Sequence, residues 1–128
     1  MPKRIYSLRE IKNVLTHPNI YCHINPLIHE VDYIPDMSCI YYRVGPGLII
    51  YEPDQDSVEM HGALIGGVKP GYAKEVIEQW RELSRMGFKR VKTSHEPSHK
   101  AASRMCAMLG MQLVLSDERK HYEVSLNG

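Results

Sequence analysis

Between Ser57 and Phe88 the chain reads "SVEMHGALIGGVKPGYAKEVIEQWRELSRMGF". This stretch constrains the fold more than any other. Residues 57–65 have the composition and alternation of a strand. In it Val58, Met60, Gly62 and Leu64 share one face, and Glu59, His61, Ala63 and Ile65 share the other. Gly66 and Gly67 break the strand. Ala73, Val76, Ile77, Trp80 and Leu83 then recur at the i, i+3, i+4, i+7 spacing of one helical face. Gly87 stands where a left-handed residue ends a helix, and Phe88 stands where an apolar side chain packs back on it. Such an order calls for a sheet with helices laid on it.

The flanking segments extend this pattern. Ser7 and Glu10 form an S-x-x-E capping box, with Tyr6 and Ile11 at the positions of a hydrophobic staple. Leu8, Ile11 and Leu15 continue as one helical face, and His17 and Pro18 close the helix. Residues 18–36 show no clear period and read as loop and short helix. Residues 38–44 and 48–52 read as strands, with turns at 45–47 and 53–56. Together with 57–65 they predict an antiparallel meander. After the long helix, residues 89–95 read as a strand. Ser98 to Leu109 reads as a helix stopped by Gly110, and 111–116 and 121–126 as a hairpin. The expected fold is α/β, with a mixed, mainly antiparallel central sheet flanked by helices on both faces in one domain over 1–128.

Composition excludes several classes. A formal net charge of +1 gives no ground for nucleic-acid binding. No apolar run approaches the roughly 20 residues of a membrane-spanning helix. The start of the chain lacks the apolar segment of a signal peptide. Cys22, Cys39 and Cys106 are odd in number and far apart, which argues against a disulfide framework. His95 and His99 are four apart, but Pro97 lies between them and no further ligand follows at a suitable spacing, so no metal site is expected there. A soluble, cytoplasmic protein is the expectation.

The order of elements resembles that of the GNAT fold, the Gcn5-related N-acetyltransferases that use acetyl-CoA. Four segments carry the resemblance. "SVEMHGALI" is similar to the central strand along which pantetheine lies. "GGVKPGYAKEV" is similar to the pyrophosphate loop opening the long helix. "RVKTSHEP" is similar to the next strand, which splays away to leave a V-shaped cleft. "SHKAASRMCAMLGM" is similar to the family's N-x-x-A-x-x-x-Y-x-x-x-G-F helix. The resemblance implies acetyl-CoA as cofactor, with Val68, Lys69, Gly71, Tyr72 and Ala73 around its pyrophosphate. It also implies backbone N–H groups near Leu64 or Ile65 on the acyl carbonyl. The loop has its own physical rationale, since exposed amides at a helix N-terminus favour a phosphate.

The departures from the family pattern matter as well. Val68 stands where Gln or Arg is usual, His99 takes the Asn position, and Met111 replaces Phe. Cys106 falls where a tyrosine often protonates the leaving thiolate. A thiol, with an ordinary pKa of about 8.5, is one candidate acid. Yet Ala102, Met105, Cys106 and Leu109 make a helical stripe, and free cysteine is often a buried packing residue. Glu59 and His61, two apart on one strand face, are candidate bases for the acceptor amine; the alternative is that this face simply borders solvent. His99 is a candidate contact for pantetheine or ribose, or an ordinary residue of a first helical turn. Two functions follow. One is acetyl-CoA-dependent N-acyl transfer to a small-molecule or peptide amine. The other is a catalytically degenerate GNAT-fold protein that binds a protein partner. The chain's small size also resembles GNAT-like proteins encoded by bacteriophages, some tied to head assembly, which implies a bacterial cell or phage-infected host. An exposed sheet edge makes a homodimer a further expectation.

Overall fold

The computed structural model describes residues 2–17, 37–65 and 67–126. The loop and short helix expected over 18–36 lie outside the described residues, as do Cys22 and Gly66. The described strands are β1 (Arg4–Ile5), β2 (Ile40–Val44), β3 (Gly47–Asp54), β4 (Ser57–Ala63), β5 (Arg90–His95), β6 (Gln112–Ser116) and β7 (Lys120–Ser125). The described helices are α1 (Leu8–Leu15), α2 (Tyr72–Arg85) and α3 (Lys100–Met108). All seven strands join one sheet in the order β1-β2-β3-β4-β5-β7-β6. Only the β4/β5 pair is parallel; the other pairs are antiparallel. This is the mixed, mainly antiparallel sheet expected.

Each face of the sheet carries its own apolar cluster. Val76, Trp80 and Leu83 of α2 and Met105, Cys106 and Leu109 at α3 pack with Tyr42, Ile49, Tyr51, Val58, Met60 and Val91. Ile11, Val14 and Leu15 of α1 pack on the opposite face with Ile5, Tyr41, Leu48 and Ala63. The alternation of Tyr41 with Tyr42, and of Leu48 with Ile49, is the period-2 signature of strands buried on both sides. Helix ends follow their sequence signals. Gly87 has φ +104, and the Phe88 N–H donates to the Leu83 carbonyl at 3.2 Å, closing α2 as the sequence predicts.

Several local expectations are corrected. The Ser7 hydroxyl does accept from the Glu10 N–H at 3.3 Å, but the Glu10 carboxylate pairs with Arg43 Nη1 at 3.3 Å instead of returning to Ser7. Tyr6 forms no staple and is 70% exposed. The cause is β1, which the sequence reading missed. Pairing of Arg4–Ile5 with Tyr41–Tyr42 turns Ile5 inward beside Ile11 and sends Tyr6 out. Leu8 is likewise exposed, and Val14 takes its place on the buried face. The third strand stops at Ala63, short of Leu64 and Ile65. The turn before it is tighter than 53–56: Pro53 and Asp54 belong to β3, and Gln55, at φ 58, makes the reversal with Asp56.

Two tyrosines tie α2 to the sheet through polar contacts in the core. The Tyr51 hydroxyl donates to Gln79 Oε1 at 2.7 Å, with both side chains buried. The Tyr42 hydroxyl donates to Glu82 Oε1 at 2.8 Å. Burial pushes both phenols well above their ordinary range, with the Glu82 carboxylate adding to the rise at Tyr42. Replacing Tyr51 with Phe leaves the Gln79 carbonyl without a partner in the core. We expect Tyr51→Phe to cost about 1–3 kcal/mol in urea unfolding.

Burial also pushes the Cys106 thiol up to about 11. The native state then holds a proton that the unfolded chain gives up earlier. The associated stability is complete below about pH 9 and is lost as pH rises through about 11. The raised phenols of Tyr42 and Tyr51 act in the same direction from about pH 10 upward. Urea midpoints should therefore fall between pH 8.5 and 11. Relative to its own value at pH 8.5, Cys106→Ala should fall less than the parent protein; an equal fall in the two would contradict this account.

Candidate active-site cleft

The site begins where two parallel strands part. β4 and β5 pair only at Ser57↔Arg90, Val58↔Val91 and Glu59↔Lys92. The last tie is a side chain: the Thr93 hydroxyl donates to the Met60 carbonyl at 2.8 Å. Beyond it each strand is held by a different partner. β4 stays on β3 as far as Leu48↔Ala63, and β5 stays on β7 as far as His95↔Lys120. From His61 to Ala63 the β5-facing edge of β4 has no strand partner among the described residues. An edge of this kind presents backbone N–H and C=O groups to whatever enters.

Glu59 and His61 project from β4 at this fork, on the face where α1 packs. The structure brings them together and adds a third residue, Glu52 of β3, directly opposite Glu59. One ligand atom from each of Glu52, Glu59 and His61 lies within 4.8 Å of the other two. A cavity of about 300 Å³ adjoins Glu59, lined among others by Lys92, Ser94, His121 and Glu123. Glu52 was missed because of the turn. A turn at 53–56 would set Glu52 opposite Ser57, whereas the tighter reversal at Gln55–Asp56 moves it opposite Glu59. Hairpin loop length sets this register.

Leu64 and Ile65 follow β4 as a half-buried segment. The segment is fixed from behind by Gly47: a Cβ there would lie 2.4 Å from the Ala63 carbonyl oxygen and 2.8 Å from the Leu64 Cα. Only a residue without a side chain allows this approach.

The loop into α2 separates its residues into two kinds. Lys69 and Gly71 are exposed, and at Gly67 and Gly71 an added Cβ would meet only open space. No side chain caps the helix at Gly71. The Tyr72 N–H donates to the Lys69 carbonyl at 3.0 Å, while the next amides, of Ala73 and Lys74, have no partner among the described residues. Val68 and Tyr72 point the other way. Val68 packs against the core, and Tyr72 is buried with its ring against Gly45. Their side chains are thus turned from the solvent side of the loop, and Ala73 is half-buried with them.

His99 is the N-cap of α3, with Nδ1 accepting from the Ala102 N–H at 3.2 Å. It is exposed, and its Nε2 makes no hydrogen bond among the described residues. Cys106 is 3% exposed in the core between Met105 and Met111. The acid role considered for it is withdrawn, since a thiol at this depth, holding its proton up to about pH 11, is a poor donor. His95, which the sequence reading treated only as half of a metal pair, ends β5 as a buried residue. Its Nδ1–H donates to the Glu96 carbonyl at 2.6 Å, and its ring stacks on Tyr122 at 5.3 Å. Its Nε2 is buried without a partner among the described residues. No helix among the described residues is long and apolar enough to cross a membrane.

No protein-family model matches the sequence, and no curated protein matches it significantly. Solved structures do match the fold. The ribosomal-protein-S5-alanine acetyltransferase from Vibrio fischeri superposes with a TM-score of 0.72 at 11% identity, covering 98% of this chain and 92% of that one. A GNAT-family acetyltransferase from Bacillus anthracis gives 0.64 at 12% identity, over 94% and 90% of the two chains. An acetyltransferase from Bacillus subtilis, solved with CoA, gives 0.61 at 10% identity, over 98% and 99%. With the strand order, the fork between β4 and β5 and the glycine-bearing entry to α2, these likenesses establish that the chain has the GNAT fold.

Proposed function

We propose that this protein is an N-acyltransferase that moves an acetyl group from acetyl-CoA to an amine. The reading is carried by the fork between β4 and β5, which sets Glu59 and His61 beside an open strand edge. The CoA-bound Bacillus subtilis neighbour supports the same ligand class here.

The residues present fit the cofactor. The amides of Ala73 and Lys74, without partners among the described residues, the open approach at Gly67 and Gly71 and the exposed Lys69 suit a pyrophosphate. The unpaired edge of β4 suits the amides of pantetheine, and His99 Nε2 stands at the start of α3 for a further polar contact. Bound acetyl-CoA supplies the acetyl group as an activated thioester. Glu59 or His61 takes the proton from the acceptor amine, the amine nitrogen bonds to the acyl carbon as the C–S bond breaks, and the proton passes on through water to the departing sulfur. The N–H groups of the Leu64–Ile65 segment, which Gly47 allows to run close against β3, donate to the oxygen on which negative charge develops. The acceptor is a small-molecule or peptide amine entering on the face that carries Glu59.

Two positions favour a second reading, a non-catalytic GNAT-fold protein that binds a protein partner, such as a phage head-assembly factor. Val68 packs into the core where the family offers Gln or Arg to phosphate, and Cys106 is buried where the family offers tyrosine.

Thermal unfolding with added acetyl-CoA separates the two. A hundredfold excess over Kd should stabilise the acyltransferase by about 2.7 kcal/mol. Lys69→Glu and Gly71→Trp should each abolish the shift. No shift at millimolar acetyl-CoA would leave the non-catalytic reading standing. Where the cofactor binds, Glu59→Gln or His61→Ala should slow transfer on the order of a hundredfold or more; unchanged rates in both would remove these bases.

A further inference from the structure

The cluster of Glu52, Glu59 and His61 has a chemistry of its own. Glu52 and Glu59 stand directly opposite on antiparallel strands, so two carboxylates share one face at the closest cross-strand distance. Like charges in that arrangement destabilise a sheet unless something offsets them. The neighbours do so only weakly. His61 Nε2 is 4.0 Å from Glu52 Oε1. Lys92 stands level with Glu59 on β5, yet among the described residues Glu59 makes no ion pair with it or with any other group. Two acceptor-only carboxylates and one imidazole nitrogen thus converge without a strong internal partner.

We propose that Glu52, Glu59 and His61 form a binding site for a divalent transition-metal cation of the zinc class. Three ligand atoms from three backbone-fixed positions lie within 4.8 Å of one another. Tetrahedral zinc with bonds of about 2.1 Å needs ligands about 3.4 Å apart. The shortfall is within the reach of rotation about side-chain bonds, because Glu52 and His61 are half-exposed. The strand pairing holds the backbone positions already, so binding orders side chains only. An imidazole with two carboxylates suits Zn²⁺, Co²⁺ or Ni²⁺ better than Mg²⁺ or Ca²⁺, which favour all-oxygen sets. Three protein ligands leave a fourth position open to water. Among the described residues the other histidine groupings lack this convergence: His121 meets Asp117 at 3.1 Å, and His95 and His99 meet each other at 6.3 Å between ring centroids.

The inference goes beyond acyl transfer and does not depend on it. A cation here would take one lone pair from each base candidate and lower its basicity, so metal loading would compete with removal of the amine proton. The test is binding of Zn²⁺ alone, by isothermal titration at pH 7 on protein without a polyhistidine tag and without acetyl-CoA. One saturable site is expected, and Glu52→Gln and His61→Ala should each weaken it at least tenfold. His121→Ala and His99→Ala should leave it unchanged, and Mg²⁺ should bind at least a hundredfold more weakly. No saturable Zn²⁺ binding would overturn the proposal. So would affinity unchanged by His61→Ala, affinity lost with His121→Ala or His99→Ala, or equal binding of Mg²⁺. These outcomes are independent of the acetyl-CoA titration, so failure of one reading leaves the other to be judged separately.

Discussion

The short parallel ladder between β4 and β5 is the constraint on which the remaining architecture depends. Three residue pairs hold the strands together, and the Thr93–Met60 hydrogen bond marks where they separate. A longer ladder would close the sheet and leave no strand edge for a ligand. A missing one would detach β5, β7 and β6 from the meander. The separation is sustained because each strand keeps its other neighbour to the end, β3 for β4 and β7 for β5. Opening the middle of the sheet therefore costs only a few backbone pairs, which a bound ligand can replace.

The helices hold this arrangement from both faces. α2 anchors the meander through apolar packing and through Gln79 and Glu82, which accept from Tyr51 and Tyr42. These bonds fix the rotation of α2 about its axis more narrowly than apolar contacts do, because a buried hydroxyl tolerates few positions. That rotation turns Val68 and Tyr72 into the core and leaves Lys69, Gly71 and the first free amides outside. The division of the loop into packing residues and anion-facing residues is a consequence of core packing. The same logic disposes of Cys106: α3 points it inward, and the inward environment raises its pKa.

Much of the fold was legible because local signals agreed with one another. The stripe of Val76, Trp80 and Leu83, the left-handed Gly87 and the returning Phe88 all specify one helix end. Alternation in β2, β3 and β4 specified strands. The site was legible only in part. Glu59 and His61 were placed together because residues two apart on a strand share a face. Glu52 was not, because its partnership depends on a turn whose length differed by two residues from the pattern of Pro and Asp in the sequence. Tyr6 and Leu8 failed for a related reason: a two-residue strand, too short to leave a periodic signal, reorients the start of α1.

By itself the sequence determined the longer secondary elements, their order and most of the apolar faces that must be covered. It did so because helical and strand periods and glycine breaks act over a few residues. Only the tertiary structure decided which polar residues meet. Glu52 meets Glu59 across one hairpin turn, whereas Thr93 and the Met60 carbonyl are 33 positions apart and Tyr51 and Gln79 are 28 apart. The true length of a hairpin turn brings the first pair together, and strand separation and helix rotation bring the other two; none of the three is marked by a period or a break in the sequence.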